Sequence, residues 1–244
     1  MKKANLFVIG LVLVLPAMLQ AQPAPQYGVA GSVHDFSQET WASWGSVCSP
    51  CHAAHHTDPA QLIPLWIHGT STGPFTPYTS DTLDAAIGNP SGASLACLSC
   101  HDGTVAINQL HDGTIQGGVA VTIDPSAQIG PDLHTTHPIS FTYDPGLAAA
   151  DGALVDPTVY QIGDAHWPGQ PPPVPASFPP LGNVLTGKTI QEGLMDGGTT
   201  MECSTCHDVH KIDGSAPTSG ILLKISGSDS TGRGSLICRN CHLK

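Results

Sequence analysis

Between Ala4 and Gly187 the sequence contains no lysine and no arginine. The chain of 244 residues has 8 basic residues against 19 acidic ones. So little positive charge excludes nucleic acid as a partner, because phosphates must be neutralised by Lys and Arg. An anionic membrane surface is disfavoured for the same reason. Aromatic residues are scarce, at 5%, while 27 Gly and 22 Pro make up a fifth of the chain. Such a composition is poorly equipped to build a core from side chains alone. Either the chain is largely disordered or something else fills its interior. Long apolar runs are also missing, except for one near the N-terminus. There, Lys2 and Lys3 precede an apolar stretch from Leu6 to Leu19. A spanning helix needs roughly 20 apolar residues, and this run is shorter and contains Pro16. Residues 1–21 therefore read as a secretory signal peptide, cut after about Ala21. Its removal leaves 6 basic and 19 acidic residues, a net charge of 6 − 19 = −13.

The cysteines say what could fill the interior. All 8 fall in C-x-x-C pairs, and each pair is followed at once by histidine. The motifs are Cys48, Cys51, His52; Cys97, Cys100, His101; Cys203, Cys206, His207; and Cys238, Cys241, His242. Two zinc ions in all-thiolate sites would use the cysteines, as would four disulfides in an exported chain. Neither explains the histidines. Covalent haem c explains every position: two thiols become thioethers to the porphyrin, and the next imidazole becomes the proximal iron ligand. Four haems would supply the apolar interior that the side chains lack, and their covalent bonds would restrict the unfolded chain.

Of 13 histidines, nine remain for the other side of each iron: His34, His55, His56, His68, His111, His134, His137, His166 and His210. After signal removal only Met195 and Met201 compete with them. Bis-histidine, low-spin iron of low potential is therefore expected. His55 stands three residues after His52, and His210 three after His207. If the turn continued as a helix, each would lie near the proximal face of its own haem. Each is then better placed to reach a second haem, in the same chain or a neighbouring one.

Along the chain, Ser37 is expected to cap a short helix running through Trp41 and Trp44. Further helices are expected over 80–87 and 94–101. Short strands are expected over 119–123, 139–143 and 221–225. His101-Asp-Gly-Thr and His111-Asp-Gly-Thr repeat a tetrapeptide, the second without cysteines. Residues 22–147 form an N-terminal di-haem part and 183–244 a C-terminal one. Between them, 148–182 is an extended segment with a Pro-rich run. The fold class expected is a loop-rich multihaem cytochrome c, with short helices at the haem sites, a few short strands and a core of stacked haems.

The stretches GSVHDFS, CSPCHAAH, PLWIH, SDTLDAAIGNPSGASLACLSCHDGTVA, DLHTTHPISFTYD and CHDVH occur in that order. Together they resemble the doubled C-x-x-C-H multihaem cytochromes, and the tetrahaem layout is similar to that of extracellular cytochrome nanowires. The resemblance covers most of residues 28–244. It implies an electron carrier with stacked bis-histidine haems, whose subunits polymerise through a histidine given to the next subunit's haem. Carried over position by position, it implies His34, His55, His137 and His210 as distal ligands. His68 in PLWIH is a fifth candidate for four irons, and His134 a fallback. Ala54 stands where the family usually has proline, which loosens the turn before His55. The leading expectation is an exported, filament-forming tetrahaem electron carrier rather than an enzyme, working with redox partner proteins or extracellular acceptors. A monomeric periplasmic shuttle is the alternative. A multihaem reductase of oxyanions would need an open iron and cations to hold its substrate, and cations are few.

Overall fold

A computed structural model describes residues 28–42, 45–55, 57, 63–162, 185, 187–210, 222–225 and 236–243. The chain is loop-rich, with few short helices and one two-stranded sheet. Helix α1 spans Gly92–His101, α2 Pro145–Asp151, α3 Ile190–Gly193, α4 Cys203–Cys206 and α5 Leu236–Arg239. Strand β1 (Phe141–Thr142) pairs antiparallel with β2 (Thr200–Met201), with Phe141 opposite Met201. Among the described residues no helix is long and apolar enough to cross a membrane. The signal-peptide reading of 1–21 and the Pro-rich run lie outside the described residues, as do His56 and His166.

Local chemistry sets the ends of these elements. In α2, Asp144 accepts a hydrogen bond from the Leu147 amide at 2.9 Å, and Pro145 opens the first turn. Gly152 ends it at φ 68°, a left-handed conformation that glycine adopts without steric cost. Helix α3 starts in a reciprocal capping box: Glu192 N–H donates to Thr189 Oγ1, and Thr189 N–H donates to Glu192 Oε2.

Several expected elements differ. The first helical turn is a 3-10 segment, Phe36–Gln38, capped by Asp35 rather than Ser37. No helix forms over 80–87. There, the Ser80 hydroxyl takes the Thr82 amide, and the chain makes only a turn at Leu83. Residues 119–123 form no strand, because the Val121 amide is taken by the Asn108 side chain rather than by a ladder. Residues 148–162 are not extended: they begin inside α2, and Val155 and Ile162 are buried.

A side-chain core does exist, toward the C-terminal part. Tyr143, Leu194, Ile190 and Ile225 are 1%, 1%, 0% and 1% exposed, and Met201, Ile237 and Cys241 pack with them. Ile190 anchors α3 there. Ile190→Ala should destabilise the protein by about 2–5 kcal/mol. A urea titration should show a lower midpoint with an unchanged slope, and an unmoved midpoint would contradict the packing described.

Candidate functional site

Each C-x-x-C-H closes as one helical turn. The His52 amide donates to Cys48 O at 2.9 Å, His207 to Cys203 O at 2.9 Å, and His242 to Cys238 O at 3.1 Å. Cys97, Cys100 and His101 form the last turn of α1. The turn does not continue as a helix past the histidine in the first, third and fourth motifs. Instead, the chain turns extended and pairs across a short antiparallel bridge: His52 with Trp66, His207 with Leu223, His242 with Leu154. The same two bonds recur each time. The second cysteine's carbonyl accepts from Ile67, Lys224 or Val155, and the residue after the histidine donates to Leu65, Leu222 or Ala153. The helical placement considered for His55 and His210 therefore does not apply.

Consecutive motifs are neighbours. The Cys97 thiol hydrogen-bonds Cys203, which pushes Cys97 up and holds Cys203 down. Burial pushes Cys100 up to about 12, with Cys51 and Asp102 adding to the effect. Burial likewise pushes Cys206 up to about 11, with Cys238 nearby, and Cys241 up to about 12, with Cys206 nearby. Glu202 ties the second motif to the third. Its Oε2 accepts from the Ser94 amide and from Ser140 Oγ, both at 3.1 Å, while the Cys203 amide donates to Ser94 Oγ at 2.9 Å.

Three histidines face motif histidines. His34 meets His101 with ring centroids 6.1 Å apart, His210 meets His52 at 6.1 Å, and His137 meets His242 at 6.2 Å. These distances bear on ligation. A metal–imidazole bond is about 2 Å and the ring centroid lies about 1 Å behind the nitrogen, so two imidazoles flanking one metal sit with centroids roughly 6 Å apart. The ring protons fit as well. His52, His101 and His137 each donate Nδ1–H to a backbone carbonyl, of Pro64, Ala127 and Pro138 respectively, each at 2.8 Å. A carbonyl can only accept, so Nε2 keeps its lone pair for a metal.

The other candidates differ. His68 is 3% exposed, and both of its nitrogens face carbonyls: Nδ1 at 2.6 Å from Gly69 O, Nε2 at 3.0 Å from Ala106 O. Its Nε2 also lies 3.4 Å from Cys100 Sγ, so the ring is held beside the second motif, and as a neutral imidazole it can donate to only one of the two carbonyls. Burial lowers its pKa, and the carbonyls raise it. His55 is exposed and makes no ring contact with another histidine among the described residues. His134 is exposed and bound to Asp132 at 2.7 Å.

A cavity of about 440 Å³ is lined by Cys238, Cys241 and His242 together with His137. Its walls are otherwise mainly apolar, with Phe141, Leu147 and Leu194 among them, and its size suits a cofactor. Among the described residues no three His, Cys, Asp or Glu side chains cluster so as to hold a metal ion by themselves. The donor set instead comes as imidazole pairs, each beside a pair of cysteines, as a metalloporphyrin needs. Sequence reasoning named these histidines but not their pairing, which depends on contacts between distant segments. A scan against protein-family models and a search of curated proteins found no match to this chain.

Glu202→Ala leaves two donors around the second and third motifs without their acceptor. It should cost about 1–3 kcal/mol, read as a lower denaturant midpoint, with Glu202→Gln restoring part of the loss. An alanine variant as stable as wild type would show that the clamp contributes nothing.

Proposed function

We propose that this chain is an exported tetrahaem c-type cytochrome that transfers electrons and assembles into an extracellular filament. The observation that carries the reading is the set of three histidine pairs at 6.1–6.2 Å, each joining a C-x-x-C-H histidine to one from a distant part of the sequence. Cys48 and Cys51, Cys97 and Cys100, Cys203 and Cys206, and Cys238 and Cys241 would hold one haem each through thioethers. His52, His101, His207 and His242 are the proximal ligands. His210 is assigned across from His52, His34 across from His101, and His137 across from His242. When bound, haem supplies a one-electron couple. The chain orients the imidazoles of His52, His101 and His137 through Nδ1, sets the spacing between motifs and lines the fourth motif with apolar walls. The charge of the chain, acidic and almost free of cations, suits an exported protein kept soluble by repulsion.

The filament part rests on His55. It stands in a C-x-x-C-H-x-x-H like His210, and both are exposed, but among the described residues only His210 is set against a motif histidine. His55 is thereby available to an iron of a neighbouring subunit.

Haem content and spin state test this directly. The exported protein should carry four haems per chain by pyridine haemochrome assay, all low-spin by electron paramagnetic resonance. His210→Ala, His34→Ala and His137→Ala should each convert one iron of the four to a high-spin or water-ligated form. A chain without haem, or three variants that all stay fully low-spin, would overturn the reading. Negative-stain electron microscopy should show thin filaments, lost in His55→Ala. If that variant still polymerises with four low-spin irons, His55 is not a ligand.

A further inference from the structure

Among the described residues four buried side-chain atoms have no hydrogen-bond partner: His34 Nδ1, Trp41 Nε1, Trp66 Nε1 and Asp102 Oδ2. All lie within residues 4–187, which contain no lysine or arginine. Two of them, the indoles, can only donate. Trp41 is 6% exposed and Trp66 7% exposed, so water does not satisfy them readily. A buried donor left without an acceptor costs about 1–3 kcal/mol, and native proteins leave few such groups.

Trp66 adjoins one histidine pair directly, and Trp41 is linked to another through Phe36. Trp66 is the bridge partner of His52 and packs edge-on to its ring, with centroids 6.4 Å apart. Trp41 packs on Phe36 at 5.4 Å, and Phe36 packs on His34, which faces His101. Gly117, at φ 71°, lets the backbone approach Trp41 so closely that a Cβ there would sit 2.9 Å from Trp41 Cβ. Trp41 is thus held close in a place where its N–H has nothing to bond.

We infer that Trp66 and Trp41 donate their indole N–H groups to the propionate carboxylates of the haems attached at the first and second C-x-x-C-H motifs. The inference rests on the haem reading above. Each haem carries two propionates, and a buried carboxylate needs donors. Near the C-terminal motifs the sequence supplies cations such as Lys224 and Arg239. Residues 4–187, which hold the first two motifs, have none, so neutral donors must serve there. Two buried, unpartnered indoles beside two of the candidate haem positions meet that requirement.

The test compares the haem-loaded wild type with Trp66→Phe and Trp41→Phe, which keep a ring but remove the donor. Haem count comes first: a wild type lacking haem sinks the electron-transfer reading, and this inference with it. With four haems present, each variant should remain low-spin throughout. Each should shift the resonance Raman propionate bending band of one haem. Each should also move that haem's reduction equilibrium toward the oxidised form by between about twofold and tenfold, because an unbonded carboxylate holds more negative charge near the iron. Neutral packing loss would not move the propionate band. Unchanged bands and unchanged potentials overturn the assignment for that residue. If a variant fails to load haem, a structure of the loaded wild type decides. An indole nitrogen within hydrogen-bonding distance of a propionate oxygen supports the inference, and both indoles bonded elsewhere overturn it.

Discussion

One hydrogen bond recurs through this molecule: the amide of the motif histidine donating to the carbonyl of the first cysteine. It closes five residues into a single turn. It brings both thiols and the imidazole to one place without help from any distant part of the chain. The first, third and fourth motifs then leave the turn in the same way, through an antiparallel bridge that uses the second cysteine's carbonyl and the amide after the histidine. Those groups would otherwise be orphaned at the end of so short a helix. The bridge satisfies them and also fixes the direction in which the chain departs. The second motif solves the same problem with a longer helix, and the His101 carbonyl accepts from the Ile129 amide at 2.7 Å.

From these fixed turns the remainder is a matter of what each turn meets. The segments between motifs are mostly loops, and loops bury little apolar surface. The described core gathers beside the third and fourth motifs, where Tyr143 donates to Val155 O at 2.6 Å and Leu194 and Ile225 are nearly inaccessible. Around the first and second motifs Leu98 and Leu133 are buried alongside tryptophans, His68 and small polar residues, and among the described residues the polar atoms without partners are concentrated there. A region like that is not self-sufficient in hydrogen bonding.

Much of this was legible in the sequence, for a physical reason. A C-x-x-C-H turn is local, so its spacing alone specifies it. The helix ending at His101 was readable from the apolar residues before it and from Gly103 after it. The two Asp-Gly-Thr repeats form the same turn, with Thr104 and Thr114 amides donating to Asp102 and Asp112. Elements whose outcome depended on competition were not readable. Helix over 80–87 lost to a serine–backbone bond, and strand over 119–123 lost to Asn108. Likewise Asp35 displaced Ser37 as a cap because its carboxylate takes both the amide and the hydroxyl of Ser37, at 3.1 and 2.6 Å.

The candidate ligands show where spacing stops being informative. His68 follows Trp66 and Ile67, and His137 precedes Pro138 and Ile139; neither stands in a C-x-x-C-H motif. What separates them is the use of the second nitrogen. His137 gives Nδ1–H to the carbonyl of the next residue and keeps Nε2 beside His242. His68 gives Nδ1–H to the next residue as well, but its Nε2 meets the Ala106 carbonyl, brought in from 38 positions away. A ligand needs one nitrogen oriented and the other free. That condition is set by tertiary contacts, so the order among four candidates and a fifth, His68, acquires a geometric basis only once the chain is folded. The two histidines are told apart by their neighbours: His137 faces the His242 ring at 6.2 Å, whereas both nitrogens of His68 lie against carbonyls.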